Sequence, residues 1–507
     1  MSGLGDMSNA LKPLTIKDVV HPGKSRSVEN LIRSIRSKPE SWWVHEGDHR
    51  ALALFHDMAK HVPAYKHFLK KNSVNPAHIR TINDFVEVPE TNKKNYTSKY
   101  SLKDRSFNGD MSTHKVLAVS SGTTGTPTLW PRGLSQEAEA AQVHAMLFSD
   151  LYEVDKYKTL IIIGFPMGIY VSGVATTLPT FFSSIVHPSI SIITAGNNKE
   201  NILAVVPQVQ GLYEQIILVG HPFFIKDVLE SGKRNGINWS KTKLKTFFCS
   251  EGYNEEWRDY LGTLVKVSRP GNSFFNTYGS SELLLMGYET PESIGVKRYL
   301  ENHQTIQEAV LGKAGPLSLF QYNPLIRHIS VNAGGELLFT SRSGIPLCRY
   351  NLKDAGAVLR RRDMLRTASP VVHNWKPWNL PYVVLFGRSD HTLIFFAANI
   401  YPEHIHAALN HRQFLKKITG KFVMEKNYTS AMDPKLIVHI ELQEGQRGGV
   451  SFQQALKRRL VEMLLTLNLE YADASERVDK DLVPKVVLHR YRDEKFFKPG
   501  LKPRYIA

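Results

Sequence analysis

Hydroxyl side chains flank two glycines in the stretch 119–133, which reads VSSGTTGTPTLWPRG. Glycine lets a backbone approach a phosphate closely, and hydroxyl and backbone N–H groups donate hydrogen bonds to its oxygens. Thr126 follows the second glycine, so the loop lacks the lysine of the G-x-x-x-x-G-K-[ST] phosphate loop. Alone, the stretch predicts either an oxyanion-binding loop or a flexible turn. The residues concerned are Ser120, Ser121, Gly122, Thr123, Thr124 and Gly125.

Three later stretches carry residue types that suit nucleotide chemistry. NTYGSSEL (276–283) combines an aromatic face, which can pack a base, with a carboxylate, which is a hard ligand for Mg²⁺. PLCRYNLKDAG (346–356) and LFGRSDHTLIFFAANIYPEHI (385–405) follow it in the chain. In this order the four stretches resemble the motifs of the adenylate-forming superfamily, which includes the acyl- and aryl-CoA synthetases.

The N-terminal segment 62–96, VPAYKHFLKKNSVNPAHIRTINDFVEVPETNKKNY, is similar to the start of phenylacetate-CoA ligase-like proteins. The resemblance implies a ligase that activates an aryl or acyl carboxylic acid as an acyl-adenylate, with release of pyrophosphate. The acyl group is then transferred to a thiol, with coenzyme A as the expected acceptor. ATP, Mg²⁺ and coenzyme A are the implied cofactors, and a small-molecule carboxylic acid is the implied substrate.

The resemblance also implies roles for single residues of the nucleotide site. The loop 120–125 holds the pyrophosphate end of ATP. Tyr278 stacks on adenine, Ser281 contacts the α-phosphate and Glu282 binds Mg²⁺. Asp354 accepts hydrogen bonds from the ribose hydroxyls.

Further residues are assigned by the same motifs. Arg388 contacts the nucleotide, and Asp390 is the hinge between the large domain and the lid. Glu251, in CSEG (249–252), matches the acid of an adenine-contacting segment. Tyr170 and His221 follow apolar runs and are expected to face the acid.

A catalytic lysine near the C-terminus is implied as well. The segment 494–507 reads EKFFKPGLKPRYIA, in which Lys502 lies two residues before Arg504. Lys502 is therefore the expected adenylation lysine, and Lys498 is the alternative. The lysine would enter from the lid and pair with carboxylate and α-phosphate oxygens.

Several positions depart from the family pattern. Thr126 stands where a lysine is common, Leu352 and Lys353 replace Thr-Gly, and the spacing around Lys502 differs. These departures are the support for a third hypothesis, ranked behind the CoA ligase, in which the chain is a degenerate nucleotide-binding protein without turnover. A second reading keeps the adenylation step but loads a carrier protein or an amine instead of coenzyme A.

The composition limits the other classes of function. The chain has 507 residues and a net charge of +17, but its lysines and arginines are spread along the sequence. We therefore expect small polyanions such as ATP rather than nucleic acid as partners. Two cysteines and a polar start of the chain favour a cytoplasmic protein without a secretory signal. A homodimer is possible on these data.

The motifs must be positioned by the secondary structure between them. Short apolar runs recur along the chain, separated by stretches long enough for a helix. TLIII (159–163), SIIT (191–194), QIILV (215–219) and KTFFC (245–249) predict buried parallel strands covered by helices. The uncharged stretch 159–186 contains glycines and prolines, which favours a strand, a loop and a helix over a membrane span. The predicted class is α/β, with a large domain of mixed, largely parallel sheets (1–388) and a small mobile α+β lid (389–507).

Overall fold

The computed structural model of the chain describes residues 27–120, 128–368, 375–478, 480–497 and 505–507. Within them the strands are β1 (His114–Ser120), β2 (Thr128–Gly133), β3 (Thr159–Gly164), β4 (Ile190–Ile193), β5 (Gln215–Gly220), β6 (Lys243–Cys249), β7 (Phe274–Ser280), β8 (Leu284–Tyr288), β9 (Ser318–Gln321), β10 (His328–Val331), β11 (Glu336–Ser341), β12 (Leu347–Leu359), β13 (Tyr382–Arg388), β14 (Leu393–Phe395), β15 (Ala398–Ile400), β16 (Ile418–Tyr428), β17 (Pro434–Leu442) and β18 (Lys485–His489).

The helices of the same residues are α1 (Val28–Ser37), α2 (Glu40–His61), α3 (Pro63–Lys71), α4 (Ile82–Phe85), α5 (Leu134–Asp150), α6 (Val171–Val186), α7 (Lys199–Val209), α8 (Pro222–Arg234), α9 (Glu255–Val265), α10 (Pro291–Asn302), α11 (Gln304–Leu311), α12 (Arg361–Thr367), α13 (Pro402–Leu409), α14 (Val450–Leu467) and α15 (Leu469–Arg477).

Eleven of the described strands form one mixed sheet in the order β10–β11–β12–β13–β9–β8–β7–β6–β5–β3–β4. The half from β4 to β7 is parallel, and the pairs from β7 to β10 are antiparallel. In β3, Leu160 and Ile162 join one hydrophobic core, whereas Ile161 and Ile163 join another. Because successive side chains of a strand point to opposite faces, both faces of the sheet are covered. The predicted α/β class with a mixed, helix-covered sheet is confirmed.

The strand order of the parallel half determines where a ligand can bind. The chain runs from β3 to its neighbour β4, and then returns to place β5 on the other side of β3. In such sheets ligands bind outside the carboxyl ends of the strands, where the order reverses. The segments after Gly164, Gly220 and Cys249, which end β3, β5 and β6, therefore meet at one edge.

The uncharged stretch 159–186 is a strand, a loop and a helix, as the sequence predicts. β3 ends at Gly164 and α6 begins at Val171. α6 packs against α5, where the Ser183 hydroxyl donates to the carbonyl oxygen of Ala141 at 3.1 Å. Among the described residues, no helix has both the length and the apolar character that a membrane crossing needs.

The C-terminal part of the chain forms a second, smaller sheet. β16 and β17 pair antiparallel, and β18 joins β17 in parallel. α14 buries Leu456, Leu460 and Leu464, whose i, i+4 spacing puts them on one helix face. The order β17, α14, β18 agrees with the predicted α+β lid, while its boundary at residue 389 stays a prediction.

Candidate active site

A cavity of about 1690 Å³ lies at the carboxyl ends of the parallel strands and is lined by both the large sheet and the lid. Every described residue that the sequence assigned to the site lines it: Ser120, Tyr170, His221, Glu251, Tyr278, Ser281, Glu282, Asp354, Arg388 and Asp390. The other predicted residues lie outside the described ones: Ser121, Gly122, Thr123, Thr124, Gly125, Lys502 and the alternative Lys498. Motifs from distant parts of the chain thus share one cavity.

Asp354 is held between an aromatic ring and a guanidinium. β12 and β13 pair so that Asp354 lies opposite Arg388, whose Nη1 is 3.5 Å from Asp354 Oδ1. The Tyr278 hydroxyl donates to Asp354 Oδ2, and its ring stacks on Phe320 with 5.9 Å between centroids. Burial raises the pKa of the Asp354 carboxyl, against the lowering effect of Arg388 and Tyr278. An aromatic ring and a carboxylate therefore lie side by side in the cavity wall.

Lys353 stands where the resemblance expects glycine, and its φ of 68° is in the left-handed region. Its N–H donates to Asn351 Oδ1 at 2.7 Å, and its Nζ is 3.2 Å from Glu336 Oε2. Its carbonyl accepts a hydrogen bond from the Ser389 N–H at 2.7 Å. These contacts hold a non-glycine residue in a conformation that glycine adopts more readily. The loop thus accommodates the departure from the motif, and Asp354 follows it in the cavity wall.

Glu282 lies in the turn between β7 and β8, next to Ser281. Desolvation raises the pKa of its carboxyl, although Ser280 and Lys93 lower it. Mg²⁺ is commonly held by one or two carboxylates together with water and substrate phosphates. Within the described part of the chain, no cluster of three or more His, Cys, Asp or Glu side chains could hold a metal. The Mg²⁺ role of Glu282 stays a prediction.

Glu251 joins the large sheet to the lid. His221 Nε2 is 2.8 Å from Glu251 Oε2, and the Lys426 ammonium donates to Oε1 at 2.6 Å. The Ala397 N–H donates to Oε2 at 3.1 Å. Burial acts to raise the pKa of Glu251, but Lys426 and His221 hold it below its ordinary value. The predicted nucleotide-contacting acid is bonded to the lid in this structure.

Asp390 holds the turn between β13 and β14. Its Oδ1 accepts hydrogen bonds from Arg388 Nε at 3.0 Å and from the Thr392 hydroxyl at 2.6 Å. Its Oδ2 accepts from Arg388 Nη2 at 2.6 Å. A further bond, from the Thr392 N–H to Oδ1 at 3.2 Å, ties this side chain to the backbone of the segment that the sequence predicts as the hinge.

One wall of the cavity is largely apolar. Five of its residues belong to a single hydrophobic core: Val143, Phe165, Phe247, Cys249 and Leu285. His144 lies in the same wall and stacks on Phe247 with 5.7 Å between ring centroids. Tyr170 precedes α6 and forms a β-bridge with Val119, so it lies near the end of β1. This wall suits the carbon chain or ring of a substrate.

The geometry can be compared with solved structures. No family model and no curated protein sequence matches the chain. A 2-hydroxyisobutyryl-CoA ligase in complex with 2-HIB-AMP and CoA, in the thioesterification state, matches with a TM-score of 0.61 and 16% identity, over 94% of this chain and 91% of the ligase. The chain has the fold of an adenylate-forming CoA ligase.

Two further structures of 2-hydroxyisobutyryl-CoA ligase agree with this fold. Its open conformation with 2-HIB-AMP and CoA matches with a TM-score of 0.53 and 14% identity, over 91% of each chain. Its postadenylation state with 2-HIB-AMP matches with a TM-score of 0.53 and 16% identity, over 94% of this chain and 91% of the ligase.

Lys93, Lys426 and His144 are among the ionisable cavity residues that the sequence reasoning did not assign. Lys93 begins a single π-helical turn capped by Asn92 and lies near Glu282. The sequence NKKNY does not show which of its two lysines, Lys93 or Lys94, faces the cavity. Lys426 lies between Glu425 and Asn427 in β16, and this run of polar residues gives no local sign of a buried contact. His144 stands in an apolar helix, where a core histidine is the ordinary interpretation.

Proposed function

We propose that the protein uses ATP to convert a carboxylic acid into an acyl-adenylate, with release of pyrophosphate, and then transfers the acyl group to a thiol, coenzyme A. One observation carries this proposal: the residues that match the adenylation motifs line a single cavity in the fold of a CoA ligase. The finer assignment that we propose is a phenylacetate-CoA ligase-like enzyme, supported by the similarity of segment 62–96.

The nucleotide half of the cavity provides positions for the parts of ATP. The face of Tyr278 packs the adenine, and Asp354 accepts hydrogen bonds from the ribose in place of the Tyr278 hydroxyl. Arg388 contacts the nucleotide, and the Ser281 hydroxyl donates to the α-phosphate. The substrate carboxylate attacks the α-phosphorus, the bond to the β-phosphate oxygen breaks, and pyrophosphate leaves. The barrier depends mainly on alignment and on charge.

Positive charge reaches the phosphates from more than one direction. Glu282 would hold Mg²⁺, which when bound neutralises part of the phosphate charge. Lys93, whose charge partly opposes the burial that raises the pKa of Glu282, adds a cation beside it. Lys502 provides a further cation, with Lys498 as the alternative. Hydroxyl and N–H groups of the loop 120–126 hold the departing pyrophosphate without a lysine of its own.

In the second step a sulfur–carbon bond forms at the acyl carbonyl and the bond to AMP breaks. The thiol proton passes to solvent, and AMP leaves. The contacts of Lys426 and Ala397 with Glu251 support a lid that docks over the cavity for this step. A carrier-protein thiol or an amine would enter the same reaction as the attacking group.

Acid-dependent exchange between ATP and labelled pyrophosphate, over a panel of aryl and fatty acids, tests the first step. Exchange with at least one acid is the expected result. Coenzyme A is then added, and mass spectrometry should detect the thioester. Exchange without thioester would favour a carrier protein or an amine as acceptor. Bound ATP with no exchange for any acid would favour a nucleotide-binding protein without turnover.

We also propose a division into an adenylation domain (1–388) and a lid (389–507), and a cytoplasmic location. Free Cys249 and Cys348 are compatible with a reducing compartment. The homodimer stays a prediction, which light scattering after size-exclusion chromatography can check.

A further inference from the structure

His144 is a buried histidine of the cavity wall to which the adenylation chemistry gives no role. It lies in α5 with only 3% of its surface exposed, and it lines the cavity beside Val143. Its ring stacks on Phe247 at an interplanar angle of 23° and meets Phe148 edge-on at 67°. Packing on two sides fixes the plane of the imidazole.

One hydrogen bond decides which nitrogen of His144 carries the proton. Nδ1 lies 2.8 Å from the carbonyl oxygen of Ala140, and a carbonyl oxygen only accepts, so Nδ1 is the donor. Burial lowers the pKa of His144 to about 4, which keeps the ring neutral at physiological pH. Nε2 is therefore an acceptor, and no hydrogen-bond donor within the described ranges reaches it.

The residues that share the cavity wall with His144 limit which groups could donate a hydrogen bond to Nε2. The side chains that share its wall include Phe165, Phe247 and Leu285, which are apolar. Glu139 also lines the cavity, but its carboxylate is paired with Arg327 Nη1 at 2.7 Å. Nε2 is thus left without a donor from the described residues, and a donor on a bound substrate can complete it.

We propose that His144 is a specificity-determining residue that accepts a hydrogen bond from a hydroxyl group on the tail of the substrate acid. The substrate class is then a hydroxylated acid with an apolar, ring-bearing tail that packs beside Phe247. This inference rests on the proposed acid activation and adds the substrate class. A site built to hydrogen-bond a hydroxyl discriminates strongly against the analogue without it, because its own polar group is left unpaired.

The test compares pairs of acids that differ only in the hydroxyl group. Phenylacetate and its 2-, 3- and 4-hydroxy derivatives serve as probes, and kcat/KM for ATP–pyrophosphate exchange is measured for each. We expect the wild-type protein to prefer one hydroxylated isomer over phenylacetate by about 10-fold or more. His144→Phe should bring this ratio close to one while phenylacetate itself still reacts, and His144→Gln, which keeps an acceptor, should retain part of the preference.

A histidine away from the cavity provides the matched control. His187, which pairs with Asp155 at 2.7 Å, is changed to Gln, and the preference should stay at the wild-type value. A second readout needs no turnover: the preferred hydroxy acid should raise the Tm of the wild type more than phenylacetate does, and this difference should vanish in His144→Phe.

Two results would overturn the inference. A wild-type protein that reacts equally with all four acids has no hydroxyl-recognising site. A His144→Phe variant that keeps the wild-type ratio places the recognition elsewhere, and if that variant does not fold, the wild-type panel and His144→Gln decide. If no acid supports exchange, the proposed acid activation fails and this inference fails with it, whereas exchange without preference removes this inference alone.

Discussion

Asp354 contacts two residues that the proposed nucleotide site also needs, Tyr278 and Arg388. We expect Asp354→Ala to raise the KM for ATP by about 10-fold or more, since hydrogen bonds to a charged group contribute about 1.5–3 kcal/mol. The turnover number should change less. Pyrophosphate exchange at saturating acid and varied ATP measures both, and Asp363→Ala in α12, an exposed carboxylate, is the control. An unchanged ATP dependence would remove the ribose role.

The two C-terminal lysines can be separated by which half-reaction they affect. We expect Lys502→Ala to abolish pyrophosphate exchange, because the cation that pairs with the carboxylate and the α-phosphate is lost. Thioester formation from pre-made acyl-AMP should continue, since that step needs no attack on ATP. Lys498→Ala is the matched variant and should keep exchange. Full exchange in Lys502→Ala, with loss in Lys498→Ala, would move the assignment to Lys498.

At the scale of single elements, strand β12 contains Lys353, whose backbone conformation is unfavourable for a residue other than glycine. Lys353 has a left-handed φ, a conformation that costs a non-glycine residue about 1–2 kcal/mol. Its ion pair with Glu336 is half-exposed and weak by comparison. We expect Lys353→Gly to be more stable than Lys353→Ala by about 0.5–1 kcal/mol, after the larger unfolded-state entropy of glycine is included.

Chemical denaturation followed by tryptophan fluorescence measures this difference in the free energy of unfolding. Lys435 lies in the ordinary extended strand β17, so the same pair of variants there should show the opposite order. An alanine variant at 353 that is as stable as the glycine variant would show that the loop relaxes away from the left-handed conformation.

The elements also explain which parts of the molecule are predictable from sequence. The parallel strands are buried on both faces, so each appears as a continuous apolar run such as TLIII. β16 mixes polar and apolar residues and carries no such signal. β14 and β15 are joined by Phe396 and Ala397, both with positive φ, in a turn where Asn-Gly would be the recognisable sequence.

The residues of the site also divide into those that a local sequence pattern predicts and those that it does not. Tyr278, Asp354 and Arg388 belong to short local motifs, and the resemblance of these motifs to the adenylate-forming superfamily singles them out. Lys426 acquires its meaning only through Glu251, 175 positions away, and such a pairing is created by domain docking rather than by any local pattern. The loop 121–127 lies outside the described residues, so its role stays a prediction.

For the whole molecule, the charge pair that joins the large sheet to the proposed lid, Glu251 with Lys426, should control the second half-reaction of the proposed enzyme. We expect Lys426→Met to slow thioester formation by about 10-fold or more, because removing one partner of a buried ion pair is strongly destabilising for the docked arrangement. Pyrophosphate exchange should change far less. Single-turnover measurements with pre-made acyl-AMP and coenzyme A separate the two steps.

Lys435→Met is the control, since its ion pair with Asp481 lies within the lid. It should leave both half-reactions near wild type. Equal loss of exchange and thioester formation in Lys426→Met would instead mean that Lys426 serves the nucleotide site directly.

Glu251 has a consequence for the order of events. The sequence motif assigns the Glu251 carboxylate to the adenine-contacting segment. In this structure the carboxylate instead accepts hydrogen bonds from Lys426 and Ala397 of the lid. If ATP also needs this carboxylate, ATP and the lid compete for it. By linkage, the factor by which bound ATP weakens lid docking equals the factor by which lid docking weakens ATP binding. Bound ATP would then release Glu251 from this one lid contact, without removing the lid that carries the proposed adenylation lysine, and consumption of ATP would let the contact form again.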